Sequence, residues 1–366
     1  MIKFFSGYDT IFMISVIILV AIGLFTLASA SLGLSSIKFG YSYYYISHQV
    51  ILGIIPGVIF LLFSLKFHYR KWKNLSLPLI ISAVILMTLV FVPALGFYHG
   101  GARRWINLFG LSFQPSEFLK FAFIVYLAAW LETRSKDISS FKFGFLPFFI
   151  MSGFVASFLI FQPDIGTLFV LLLTVFSLFF ISGGKLKQIA LMAFLIIALL
   201  GVSVVLEPYR LSRIMVFLNP SYDVSGAGYQ LNQALTAMGS GGIFGKGFGL
   251  SFHKFGLLPE TLGDSIFAVI AEELGFLGSI LILVLFLFVF LRGIYIVSKA
   301  PDSFSYLLGA GIILVITYQA LINIAAISGL IPLTGIPLSF ISYGGSALAV
   351  MMGEVGVLLN ISKHKS

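Results

Sequence analysis

Ten apolar stretches, each close to the length of a bilayer crossing, alternate along the chain with polar connections. An α-helix needs about 20 apolar residues to cross the hydrocarbon core. That length places spans near 11–31, 46–65, 75–95, 116–132, 145–162, 164–182, 189–206, 265–291, 304–327 and 342–361. The pattern predicts an all-α integral membrane fold of about ten transmembrane helices, a single polytopic domain over residues 1–366. The first run, Ile11 to Leu27, ends in Ala28-Ser29-Ala30, which has the form of a signal-peptidase site. Its length, and the second span that follows at once, mark it as an uncleaved helix. Two connections are long: 96–115, and a large extracellular loop at 207–264 between helices 7 and 8. The second carries Leu231, Ala234, Leu235 and Met238 at i, i+3, i+4, i+7. That stripe predicts a short helix lying in the outer membrane interface.

Composition agrees. Of 366 residues, 59% are hydrophobic and 10% charged, with a mean hydropathy of +1.09, whereas a soluble domain carries about 25% charged residues. Lipid must therefore be the solvent for most of the chain. A net charge of +9 could point to nucleic acid, but the basic residues sit in short clusters between apolar runs, where they orient helices. No nucleic-acid partner is expected. With the N-terminus cytoplasmic, about two-thirds of the lysines and arginines fall on the inner side, which puts both termini in the cytoplasm. The absence of cysteine excludes disulfide and thiolate chemistry.

Basic residues on the outer side run against that bias and call for another explanation. Arg103, Arg104, Arg210, Arg213 and Lys246 lie in the two long loops. Three carboxylates open apolar runs on the same side: Glu117, Asp164 and Asp264. Each reads as a helix cap, and all three could still line one outer cavity. Glu272 and Glu273 lie about two turns deeper than Asp264, where an ionisable group must be paired or face a polar interior. They read equally as structural ion-pair partners or as functional groups. Lys120 is placed to pair with Glu117 at i,i+3. The stretch Gly239–Gly249 fails the phosphate-loop pattern, with Ser240 and Gly247 at the wrong places and no preceding strand. It reads as a flexible loop, or as a backbone cradle for an anion assisted by Lys246. His253 has no partner at metal-ligand spacing and is assigned no role. This inventory suits an amphiphilic anion such as a lipid-linked phosphate, with Trp105 either a contact or an interface anchor.

Gly101-Ala102-Arg103-Arg104-Trp105-Ile106, followed by Gln114-Pro115-Ser116-Glu117 and Lys120, resembles a signature of the SEDS family (shape, elongation, division and sporulation), which includes FtsW, RodA and SpoVE. Further blocks agree in order and spacing: Gln162-Pro163-Asp164-Ile165-Gly166-Thr167; Tyr229-Gln230 through Gly239-Ser240-Gly241-Gly242 to Gly249; Leu258-Pro259-Glu260, Asp264 and Glu272-Glu273-Leu274-Gly275; and Ser342-Tyr343-Gly344-Gly345-Ser346. The resemblance covers nearly the whole chain and is slightly closer to the FtsW type. It implies a ten-helix protein of the bacterial cytoplasmic membrane. It also implies a processive glycosyltransferase that polymerises lipid II, a polyprenyl-diphosphate-linked glycan, beside a class B penicillin-binding protein, the transpeptidase. The family's essential aspartate falls on Asp264 and its loop tryptophan on Trp105. Where the family commonly has His-Thr-Asp-Phe, this chain reads Leu262-Gly263-Asp264-Ser265. A carboxylate can take the proton of an attacking sugar hydroxyl, and cations can stabilise a departing diphosphate. Asp264 is accordingly the expected base. Arg104, Trp105, Glu117, Lys120, Arg210, Arg213 and Lys246 are the expected substrate contacts. No cofactor is identified, and a divalent cation stays open. Two other readings are a lipid II flippase, against which counts the lack of paired interrupted spans, and a non-catalytic transpeptidase scaffold, which leaves the outer charges unexplained.

Overall fold

The computed structural model describes residues 7–99, 102–108, 111–206, 208–219, 222–226 and 228–364. Its helices are α1 (Thr10–Phe39), α2 (Tyr44–Gln49), α3 (Ile55–Lys66), α4 (Tyr69–Leu89), α5 (Pro115–Thr133), α6 (Leu146–Phe161) and α7 (Ile165–Ile181). They continue as α8 (Leu186–Leu206), α9 (Pro208–Leu218), α10 (Tyr229–Gly241), α11 (Ile266–Ser298), α12 (Ser303–Ile327) and α13 (Gly345–Lys363). A wider π-type turn at Val50–Ile54 joins α2 and α3 into one span. The helices start where the sequence supplies caps. Asp9 accepts from the Phe12 amide, Asp164 from Thr167, and Asp302 forms a reciprocal capping box with Ser305, each satisfying an amide that has no partner inside its helix.

Among the described residues, seven segments are long and apolar enough to cross a bilayer: α1, α2–α3, α4, Phe141–Phe161, α11, α12 and α13. The other three predicted spans correspond to α5, α7 and α8. Ile165–Ile181 and Leu186–Ala198 are shorter apolar helices, and α5 carries Glu117, Lys120 and Glu132 within 19 residues. Helix α5 tolerates them because its neighbours bury it along most of its length. Seven of the ten expected spans thus meet that length and hydropathy among the described residues, and α5, α7 and α8 do not. At the centre, α12 and α13 are buried on nearly every face. Helix α13 seats tightly on α3, where a Cβ on Gly57 would come within 2.5 Å of the Met352 sulfur. Asn360 of α13 completes the turn between α3 and α4, accepting from the Tyr69 amide at 2.9 Å and donating to the Leu65 carbonyl at 2.7 Å.

The 96–115 connection departs from the all-α expectation. It folds as an antiparallel sheet of β1 (Gly96–His99), β2 (Ala102–Leu108) and β3 (Leu111–Phe113), in that order. Its aromatic and β-branched residues (Phe97, Trp105, Ile106, Phe113) suit a pleated, half-buried surface.

The long loop is organised by a break in α11. Gly275 is non-helical there (φ 69°, ψ −165°), which interrupts the i→i+4 ladder inside an apolar span, where unsatisfied backbone is costly. The loop closes that gap. The Lys246 and Gly247 amides donate to the Glu272 and Glu273 carbonyls, each at 3.0 Å, and the Phe276 and Leu277 amides donate to the Gly242 and Ile243 carbonyls. The glycine-rich stretch is therefore packed against α11, with backbone donors committed to it, rather than a flexible loop. Helix α10 follows the same logic. Leu231, Ala234 and Ala237 are buried, with Leu235 and Met238 packed against the core. The apolar stripe is real, but it faces the protein, not the membrane interface.

Gly245 sits at φ +81°, and a Cβ there would lie 2.2 Å from the Glu273 carbonyl oxygen. Gly245→Ala is expected to cost at least about 2 kcal/mol, seen as a lowered melting temperature in detergent. Gly239→Ala, where a Cβ meets nothing within 4 Å, is expected to leave that temperature unchanged or raise it.

Candidate functional site

Asp264 sits two residues before α11, and three elements fix it. From α10, the Gln230 side-chain amide donates to its Oδ1 at 3.1 Å and also reaches the Ser265 hydroxyl at 3.1 Å. From α12, the Asn323 side-chain amide donates to the Asp264 main-chain carbonyl at 2.8 Å and to the Ile336 carbonyl at 2.7 Å. The third element is the segment between α12 and α13. Ser342 donates to the Gly263 carbonyl at 2.6 Å, and the Tyr343 amide to the Leu262 carbonyl at 2.8 Å.

That segment also sets the position of Arg213, from α9, whose guanidinium donates to the Leu333 carbonyl at 2.7 Å. Two residues on, a Cβ at Gly335 would lie 3.8 Å from Asp264 Oδ2 and 3.9 Å from Arg213 Nη1. Carboxylate and guanidinium therefore flank a stretch of bare backbone, held at φ +71°, on which a polar ligand could rest against both. Burial, and then the negative charge of Glu260, push the Asp264 carboxyl up to about 6, against the opposing pull of Gln230, Arg213 and Ser265. A carboxylate so placed is a competent proton acceptor near neutral pH.

The other expected contacts divide. Arg104, on β2, donates to the Gln162 and Pro163 carbonyls, clamping the sheet to the corner between α6 and α7. Trp105 is half-buried beside it on β2 and pairs in register with Phe97. Arg210 lies on α9, and its side chain falls outside the described residues.

Three expected contacts are used internally instead. Lys246 is ion-paired with Glu272 at 2.6 Å, so its ammonium anchors the loop. Glu117 and Lys120 pair at 3.0 Å and are almost fully buried, with Lys120 also donating to Gln319. The cavity beside them, which Glu354 also lines, has no room for a water. In this structure neither side chain is presented to a ligand, because a charge pair so deep must be enclosed by polar partners. Among the described residues, no three His, Cys, Asp or Glu side chains gather as a metal-sized group.

Several participants lay outside the expected set. Glu272 also accepts from Ser251 at 2.5 Å and contacts the His253 ring at 3.0 Å, and Glu273 pairs with Lys254 at 2.8 Å. This gives His253 a structural role in the loop and makes both glutamates its ion-pair anchors. Gln319 and Asn323, an i,i+4 pair in an otherwise apolar span, were the readable signal for the α12 contacts. Gln319 donates to the Pro337 carbonyl, so α12 links the buried Lys120 to the segment under Asp264.

The chain resembles known proteins along nearly its whole length. The family model described as cell cycle protein, covering FtsW, RodA and SpoVE, matches residues 9–366. Stage V sporulation protein E of Bacillus subtilis (strain 168) is 40% identical, over 97% of both chains. The probable peptidoglycan glycosyltransferase FtsW of Geobacter sp. (strain M18) is 37% identical, over 98% of this chain and 97% of its own. Among solved structures, a chain described under structural coordination of polymerization and crosslinking by a peptidoglycan synthase complex superposes with a TM-score of 0.81 at 25% identity, covering 98% of this chain and 99% of that one. Rod shape determining protein RodA of Thermus thermophilus shares the fold, with a TM-score of 0.71 at 24% identity and 98% coverage of each chain. Matched from α1 to α13 in sequence and in fold, this chain belongs to the SEDS family, that of FtsW, RodA and SpoVE.

Proposed function

We propose that this chain is a peptidoglycan glycosyltransferase that polymerises lipid II at the outer face of the cytoplasmic membrane, with Asp264 as its base. The observation that carries the reading is that Asp264 and Arg213 both border the bare Gly335 backbone. It stands beside the activity named for relatives that match the chain end to end. In the reaction, a sugar hydroxyl oxygen bonds to the anomeric carbon of the donor. The bond from that carbon to the polyprenyl diphosphate breaks, and its electron pair leaves on the phosphate oxygen. Asp264 takes the hydroxyl proton, and the Arg213 guanidinium stabilises the charge gathering on the diphosphate. Gln230 orients the carboxylate through Oδ1, which leaves Oδ2 toward the ledge.

The same reading places both termini in the cytoplasm and a class B penicillin-binding protein, a transpeptidase, alongside. The relative from a peptidoglycan synthase complex supports that partnership. The flippase alternative needs a polar route through the bundle. The one buried charge pair on α5 borders a cavity closed to water, which favours bracing over transport.

Asp264→Asn is expected to lower lipid II polymerisation by about 100-fold or more, measured with purified protein and its transpeptidase partner in detergent. A rate within twofold of wild type would remove Asp264 as the base. The ionised carboxylate is the competent form, so polymerisation should fall as pH drops through about 6 and level off above it. Gln230 holds that value down. Gln230→Leu should therefore move the midpoint of the pH–rate curve to higher pH, a displacement that mere loss of folded protein cannot produce.

A further inference from the structure

The turn between α1 and α2 carries an aromatic cluster that the catalytic reading does not use. Phe39 stacks on Tyr44 with ring centroids 3.7 Å apart and 17° between planes. Tyr44 stacks in turn on His48 and meets Tyr45 edge-on. Tyr45 and His48 both reach Tyr343, whose hydroxyl is 2.7 Å from the His48 Nδ1. In the same turn, Tyr41 and Tyr43 meet each other edge-on and are 55% and 56% exposed. Phe39, Tyr44, His48, Tyr45 and Tyr343 thus form one connected track, running from the exposed Phe39 inward to the half-buried Tyr343.

The inner end of that track is fastened to the site. The Tyr343 amide donates to the Leu262 carbonyl and the Ser342 hydroxyl to the Gly263 carbonyl, immediately before Asp264. Gln49, buried at the base of the cluster, accepts from the Gly344 amide at 3.0 Å. Interface tyrosines acting as anchors sit at headgroup level; here the rings pack on one another and on Tyr343, whose amide is bonded to the backbone just before Asp264.

We infer that this track binds the sugar portion of a peptidoglycan-class glycan strand as it extends from the site, an assignment that rests on the glycosyltransferase reading above. Tyrosine rings offer flat apolar faces that match the C–H faces of pyranose rings, while their hydroxyls donate to and accept from sugar hydroxyls. Repetition of the same side chain suits a repeating ligand. Carboxylates are lacking among the track residues, and Lys38 lies over the Phe39 ring, so a glycan bearing carboxyl groups meets no like charge.

The test uses the full chain in lipid nanodiscs and a lipid-free oligosaccharide of alternating N-acetylglucosamine and N-acetylmuramic acid, with affinity read by calorimetry. The wild type should bind it, the Tyr41→Ala/Tyr44→Ala variant about tenfold more weakly. Asp264→Asn should bind as the wild type does, which separates this assignment from the catalytic one. With lipid II, the tyrosine variant should release shorter strands while adding the first disaccharide at an unchanged rate. Equal oligosaccharide affinity in wild type and tyrosine variant would overturn the proposal. So would a variant altered only in how firmly it is held by lipid, which would assign the tyrosines to the membrane interface. Absence of polymer from the wild type would instead sink the glycosyltransferase reading, and the binding comparison would still decide this one.

Discussion

Two adjacent carboxylates on α11 hold the long loop in place, and the site depends on that hold. Glu273 meets Lys254 with both side chains almost wholly enclosed, and Glu272 gathers Lys246, Ser251 and His253. An enclosed charge stripped of its partner costs about 3–5 kcal/mol, so these contacts persist only as a set. They work together with the break at Gly275, whose freed backbone groups are completed by the loop. Because the loop cannot lift away without exposing both charge and backbone, α10 stays seated on α11 and Gln230 stays on Asp264.

A second framework runs through the centre of the bundle. On α12, Gln319 and Asn323 lie one turn apart and bond to consecutive carbonyls, Pro337 and Ile336, of the segment that carries Gly335. Gln319 also receives Lys120, the partner of Glu117. The ion pair on α5 thus steadies the ledge from below without touching a ligand. Its charges look functional in a list of residues and are, in the folded chain, enclosed by each other and by Gln319. The same division applies to Arg104, which holds the sheet against the α6–α7 corner, while Arg213 alone among the described loop cations is set beside Asp264.

Much of this was legible in advance, and the misses share one cause. Apolar run length and caps located the helices, because burial and end-capping are local properties. Asp264 was singled out through the family resemblance, whereas Gln230, its partner on α10, was not marked as one in advance. The role of Lys246 was not legible, since charge shows in a sequence while a partner in another element does not. The glycine-rich stretch was misread for a related reason: its backbone donors are claimed by carbonyls that exist as acceptors only because α11 breaks at Gly275. Glycine is common enough in membrane helices that its presence there predicts no break. The small sheet escaped notice because its strands are too short for alternation to stand out from loop.

Asn360 carries a consequence for biogenesis. The α3–α4 turn is synthesised long before α13, yet the groups that complete its backbone belong to that helix, the last of those described. Until then the opening hairpin must wait at the translocon or in lipid with its tight-packing glycine face uncovered. Insertion can therefore proceed span by span, but assembly closes like a clasp, and α3 and α4 become native only once α13, far downstream, has been made.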